Sequence, residues 1–415
     1  MIEQGPGRTK LDELKKSLSN AVVREMFTTS GDLALKVATS VSNYLVGVNQ
    51  TPGSTHIAVV ERIYKILPSG HYDLYGRGKE LDSLGRFLSG ESPEKGVAIQ
   101  AIGGMGKTAL AREYCFAREI WDTYDLVLGA QALKSQISLD GAFSSGAVRF
   151  HQLGTVLEPR EFLVALAEQL GLQRPDTRTE MELETQIAQC LEGRSALIIL
   201  DNLETMKNTV KVLELLDRIC LPPTRKALIT TRRFPADRPA GFRLLPLGAI
   251  QGAPACRQLV VDRVSRIGLR SVDDQAIDAV VEVGQGHPLA LELLTGKLVI
   301  QGTGAIRQLR EEWRNRSVDT LGDEFLSALC SYVFDDRFQE QIGGTGVEIL
   351  SVIALEAAGI DEDAAREASG LSDQEFDATL SKLFEAGCIR RELHEDLSVL
   401  AMHPITQAYF RPVST

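Results

Sequence analysis

No run of 18 or more apolar residues occurs in the chain, so no segment reads as a membrane-spanning helix. The most apolar N-terminal stretch, around Leu33 to Val48, is broken by Lys36, Ser40, Ser42 and Asn43. Met1 to Leu18 mixes acids and bases without an apolar centre, which argues against a secretory signal and for a cytoplasmic protein. The six cysteines (Cys115, Cys190, Cys220, Cys256, Cys330, Cys388) form no C-x-x-C pair, and most fall on apolar helical faces. They read as reduced, buried thiols. His56, His71, His151 and His394 are scattered and make no metal constellation, and His287 receives no role. Neither a repeat of 20 to 50 residues nor a low-complexity tail is present.

Basic residues are scarce at one end. From Ser317 to Thr415 there are 6 Lys and Arg against 19 Asp and Glu, a net of −13 in a chain whose total is −11. That segment repels phosphate backbones, which argues against nucleic acid as a partner. The remaining composition, 44% hydrophobic and 24% charged, is that of a globular protein. A length of 415 residues leaves room for two to four domains.

Four regions follow from the pattern along the chain. Residues 1–70 carry a helical stripe (Leu11, Leu14, Leu18, Val22, Met26) and a second amphipathic segment, Leu33 to Leu45. Residues 71–250 alternate apolar strands with helices, which predicts an α/β domain: a parallel sheet with helices on both faces. Its strands are Val97-Ala-Ile, Leu126-Val-Leu, Ala196-Leu-Ile-Ile-Leu, Ala227-Leu-Ile-Thr-Thr and Phe242-Arg-Leu-Leu. Residues 251–316 read as helices alone. Residues 317–415 read as helices closed by a hairpin, Ile389-Arg-Arg-Glu-Leu and Leu397-Ser-Val-Leu-Ala-Met, which suggests a winged helix.

The chemistry centres on Ala101-Ile-Gly-Gly-Met-Gly-Lys-Thr. It keeps Gly106, Lys107 and Thr108 of the Walker A pattern, with Ala101 in place of its first glycine. Gly103, Gly104 and Gly106 allow successive N–H groups, through Met105 and on to Ala109, to turn inward around a β-phosphate. A helix starting at Lys107 adds its positive end. The Lys107 ammonium can bridge β- and γ-phosphates, and the Thr108 hydroxyl can ligate magnesium. The pattern points to ATP or ADP with Mg2+ as ligand.

A second element, Ala196-Leu-Ile-Ile-Leu-Asp, delivers Asp201 to the C-terminal edge of a buried strand, where it can hold magnesium. Asn202 follows it, and Glu204 is the nearest carboxylate able to polarise a water. A third strand ends in Arg232, a candidate sensor of the γ-phosphate, and Arg233, read as a surface residue.

These three elements resemble the STAND branch of P-loop ATPases, specifically the NB-ARC-type switches. Three further motifs carry the likeness. Tyr75-Gly-Arg looks like the family's motif beside the adenine, implying roles for Tyr75, Gly76 and Arg77. Gly286-His-Pro-Leu-Ala looks like its G-x-P-L-A motif, whose proline touches the base, here Pro288. Ala401-Met-His-Pro looks like its MHD motif, whose histidine reaches the β-phosphate of ADP, here His403. The resemblance spans Leu74 to Phe410. Departures are Asn202 with the shifted Glu204, Pro404 where the MHD motif has an acid, and a long interval suggesting an insertion around Ala132 to Gly154.

The resemblance implies a switch that rests with ADP, self-associates with ATP, hydrolyses slowly and signals to a protein partner through residues 1–70. It also implies sensor repeats, either beyond this chain or elsewhere. Two other classes stand beside this reading: a winged-helix DNA-binding regulator with an ATPase domain, and a motor ATPase with rapid turnover. A third is an adaptor that does not hydrolyse ATP.

Overall fold

The computed structural model describes residues 74–117, 120–132, 158–266, 272–302, 329–356, 359–394 and 397–410, with isolated positions at 59–67, 304 and 306. The chain divides into two compact units, Met1–Glu61 and Arg62–Thr415. The helical readings before residue 59 and the expected insertion beyond Ala132 lie outside the described residues. The second unit already includes Ile63, Ile66 and Leu67, all buried.

The first half of this unit is α/β. Helix α1 (Gly78–Phe87) precedes β1 (Gly96–Gln100), which runs through a glycine-rich loop into α2 (Lys107–Ala117). Then come β2 (Leu126–Gln131), α3 (Pro159–Gln169), α4 (Glu180–Cys190), β3 (Ala196–Asp201), α5 (Thr209–Ile219), β4 (Arg225–Thr231) and β5 (Phe242–Pro246). The sheet order is β2-β3-β4-β1-β5, and every pairing is parallel. Strands β3 and β4 bury every residue. Covered on both faces, they need no alternation of polar and apolar positions. Phe162 of α3, Leu183 of α4 and Leu216 of α5 are fully buried with Ile198 in one core cluster. Each such side chain contributes about 1.5–3 kcal/mol of burial.

The sheet's two edges are finished differently. Strand β5 is only partly buried and ends at Pro246, a residue tolerated on an edge. On β2, the Gly129 N–H donates to Gln169 Oε1 (3.0 Å) and Gln169 Nε2 donates back to Gly129 O (2.6 Å). Arg62 Nη1 donates to Val127 O (2.9 Å). Side chains thus occupy main-chain groups that an exposed edge would offer to another strand.

Among the described residues three helices follow: α6 (Ala253–Arg266), α7 (Asp274–Gly284) and α8 (Pro288–Gln301). The C-terminal segment holds α9 (Asp336–Leu355), interrupted at Gly343, where φ is 75°. It continues with β6 (Ile360–Asp361), α10 (Glu362–Ser369), α11 (Asp373–Glu385), β7 (Arg390–His394), β8 (Leu397–Ala401) and α12 (Pro404–Phe410). The hairpin lies where the sequence places it. The two-residue β6 is additional and makes a third antiparallel strand, in the order β6-β8-β7. A Ser372–Glu375 capping box starts α11.

The C-terminal segment packs tightly on the helical one. A methyl group at Gly296 of α8 would come within 1.9 Å of Ala386 O. Arg263 Nη2 donates to Phe384 O (2.8 Å). Lys297, 1% exposed, donates to Tyr332 O (2.7 Å) and Asp335 Oδ2 (3.0 Å). Among the described residues no helix is long and apolar enough to cross a membrane.

Candidate nucleotide site

The loop after β1 is shaped by two glycines in the left-handed region, Gly104 (φ 71°) and Gly106 (φ 88°). A Cβ at Gly106 would meet nothing within 4 Å, so that glycine is required by backbone conformation alone. At Gly104 space is missing as well: a Cβ would stand 2.7 Å from Leu289 Cβ and 2.8 Å from His287 Cε1. Helix α2 then starts at Lys107 with no acid in its own first turn, so no side chain of the helix itself offsets its positive end. Lys107, 8% exposed, donates through Nζ to Ala101 O (3.0 Å) and Ile102 O (3.2 Å).

Thr108 and Asp201 meet. The Thr108 hydroxyl donates to Asp201 Oδ1 at 2.9 Å, so the loop and the end of β3 form one site. Thr230 of β4 also donates to Oδ1, while Gln131 Nε2 (3.3 Å) and Asn202 Nδ2 (3.2 Å) donate to Oδ2. Asp201 is fully buried. Burial raises its pKa above the ordinary value, against the hydrogen bonds from Thr230, Thr108 and Gln131 and the charge of Lys107. A hydroxyl beside a carboxylate is the hard-oxygen pair magnesium takes. No cluster of three His, Cys, Asp or Glu side chains suited to a metal occurs among the described residues. A magnesium ion here would draw its other ligands from phosphate and water.

The next two candidates pair with each other. Glu204 accepts from the Arg232 backbone N–H (3.0 Å), and its other oxygen lies 3.5 Å from Arg232 Nε. The candidate base and the candidate sensor therefore hold one another. Asn202, in the left-handed region (φ 62°), donates its N–H to Thr230 Oγ1 (2.9 Å).

The motifs taken from resemblance fall around the same loop. Pro288 opens α8 as its first residue, with His287 as N-cap. The Leu289 N–H donates to Gly104 O (3.3 Å). Arg77, 3% exposed, directs its guanidinium to carbonyls: Gly248 O (2.7 Å), Met105 O (3.4 Å) and Ala249 O (3.5 Å). The Tyr75 hydroxyl donates to Asp262 Oδ2 on α6 (2.7 Å), and Gly76 (φ 63°) packs on Ala255 and Ile250. His403, half-buried, lies where burial first, and then Arg390, His287, Arg232 and Lys107, depress its pKa well below the ordinary range. Its imidazole is neutral at pH 7.

Sequence reasoning passed over His287. It is fully buried, and its Nε2 lies 3.0 Å from Gly103 O. The pattern offered one signal: a histidine placed directly before a proline that starts a helix. Gln131, Thr230 and Arg390 were also passed over. The first two are polar residues closing apolar strands, which is how Asp201 was found.

No protein-family model matches the chain, and no curated protein matches it by sequence. Solved structures do match. A Signal Transduction ATPase with Numerous Domains (STAND) from Pyrococcus horikoshii, with a tetratricopeptide repeat sensor, aligns over 84% of this chain and 44% of its own, at 17% identity and a TM-score of 0.51. The chain has a P-loop NTPase fold. It spans less than half the length of that STAND protein. A Walker-type ATPase of Pyrococcus abyssi aligns over 82% of this chain and 97% of its own (14% identity, TM-score 0.38). The Aeropyrum pernix ORC1 protein, solved in complex with DNA, aligns over 84% and 95% (15% identity, TM-score 0.39). At 17% identity the likeness to the STAND protein is one of fold; Lys107 and Thr108 lie at the P-loop and Asp201 at the end of β3.

Proposed function

We propose that the chain is an ATP- and ADP-dependent switch of the STAND class and NB-ARC type, resting with ADP and assembling with ATP. One observation carries this reading: the P-loop joins the strand end and the helical segment, Thr108 donating to Asp201 Oδ1 (2.9 Å) and Gly103 O lying 3.0 Å from His287 Nε2. Loop, strand end and helical segment thus meet at one place, and His403 lies within electrostatic reach of Lys107, Arg232, His287 and Arg390. In this reading residues 71–250 are the nucleotide-binding domain, 251–316 a helical subdomain and 317–415 a winged helix. The order helix, strand, two helices, hairpin supports the last assignment.

Main-chain N–H groups from Gly103 to Ala109 hold the phosphates. Lys107 leaves the carbonyls of Ala101 and Ile102 for phosphate oxygens. Thr108 and Asp201 hold magnesium. Pro288 and the Tyr75-Gly76-Arg77 turn flank the base, and Arg77 serves there through the carbonyls it supports. His403 reads the β-phosphate and Arg232 the γ-phosphate. Glu204 serves as base only after releasing Arg232, which favours slow hydrolysis.

A nucleotide shifts such an equilibrium only through differential affinity, and moving it from 1:99 to 99:1 takes about 5.5 kcal/mol. Two to four charge-assisted hydrogen bonds at roughly 1.5–3 kcal/mol each are enough. The ATP form self-associates and presents residues 1–70 to a protein partner in the cytoplasm.

The test is the nucleotide that co-purifies with the chain. ADP is expected with the parent and none with Lys107→Ala. A parent that arrives empty and takes up no added ADP ends the reading. Light scattering of the ATP-loaded chain tests assembly, and a monomer at every concentration removes that part.

A further inference from the structure

A phosphate-binding loop has two sides. Its N–H groups turn toward the anion, so its carbonyls turn away and need donors of their own. Three successive carbonyls of this loop each have a donor from outside it. Gly103 O faces His287 Nε2 at 3.0 Å, Gly104 O accepts from Leu289 N–H at 3.3 Å, and Met105 O accepts from Arg77 Nη2 at 3.4 Å. None of the donors belongs to the sheet. Two stand at the start of α8 and one precedes α1.

We propose that His287 is a positioning residue of the nucleotide site, the first of two donors through which the helical segment, together with Arg77, holds the P-loop in its anion-binding shape. This rests on reading the loop as a nucleotide site. The imidazole has one workable tautomer. Its Nδ1 accepts the Ala290 N–H (3.3 Å) as the cap of α8, so the ring proton sits on Nε2 and is donated to Gly103 O. His287 and Gly103 are both buried, so bulk water is a poor substitute for that donor.

Each captured carbonyl shares a peptide with the next residue's N–H. The bonds at Gly103, Gly104 and Met105 polarise the N–H groups of Gly104, Met105 and Gly106 and make them stronger donors. Docking of α8 and phosphate binding therefore favour each other, and the coupling is reciprocal. When α8 lifts away, the loop loses two of its three donors together.

Two variants of the full chain separate the ring's two bonds. His287→Asn places an amide oxygen where Nδ1 stands, keeping the cap and losing the donor to Gly103. His287→Gln reaches the Nε2 position with an amide N–H and leaves the cap unfilled. The probe is Mg2+ with a fluorescent ADP, titrated beside thermal melting. H287N is expected to bind about fivefold to tenfold more weakly while melting like the parent, and H287Q within about twofold of the parent though less stable. H287N binding like the parent, or H287Q as weak as H287N, overturns the proposal alone. A parent without affinity for the probe, or Lys107→Ala binding as well as the parent, overturns the nucleotide reading and the proposal with it.

Discussion

A methyl group at position 104 has no space and no comfortable backbone, whereas at position 106 it lacks only the second. The two glycines of one loop therefore differ in cost. Gly106→Ala should lose about 1–2 kcal/mol from left-handed strain, while Gly104→Ala should lose more and also displace Leu289 and His287. Urea unfolding with an ADP titration reads both, and equal losses would count against the contact with α8. The Glu204–Arg232 pair makes a second residue-scale prediction. In the proposed switch Arg232 exchanges a largely buried glutamate for the γ-phosphate, so Arg232→Ala should cut ATP affinity about tenfold to hundredfold and leave ADP nearly unchanged. Parallel titrations with ADP and a slowly hydrolysed ATP analogue measure this, and an equal loss for both removes Arg232 as sensor.

Strands β1, β3 and β4 were legible as unbroken apolar runs, because a strand covered on both faces has no polar side to interrupt it. Reading where each run stopped placed Lys107, Thr108 and Asp201. Other parts of the site depend on which strands are neighbours. Strand β4 lies between β1 and β3, and this brings Thr230 against Asp201. No local pattern encodes that order. The two residues of β6 are too few to show a period, and the bond of His287 to Gly103 spans 184 positions. Glycine at 129 and glutamine at 169 were equally silent, though together they finish the β2 edge. Gln169→Ala should cost about 1–3 kcal/mol by leaving Gly129's main-chain groups without their partner, and should raise aggregation on heating. Denaturant melts and turbidity would check it, and a stability equal to the parent's would mean that water serves the edge as well.

Across the whole unit, the join between α8 and the C-terminal segment carries a titrating carboxyl. Burial pushes Glu292 from 4.5 up to about 7, opposed by Arg263, Arg390 and Arg266. The folded chain holds this proton more tightly than the unfolded one. Stability from this group is whole below about pH 4.5 and is lost as pH rises through 7. His403, depressed by burial, acts with the opposite sign, so its contribution is lost as pH falls through 6.5 and below. The difference between the parent and Glu292→Gln isolates the first. Their melting temperatures should coincide near pH 4.5 and separate toward pH 8, with the variant more stable by on the order of 1 kcal/mol. A constant gap would remove Glu292 from the balance. Gly296→Ala should weaken the same join by about 1–3 kcal/mol through overpacking, and bound ADP should leave faster than from the parent in a chase experiment. An unchanged rate would show that His403 does not help retain ADP. The bare backbone at Gly296 has one more consequence. The carbonyl of Ala386 is seated at the one position of α8 that carries no side chain. Travel along α8 is blocked until the two backbones part. Were the C-terminal segment to leave, it would lift off in a single step rather than creep from one register to the next.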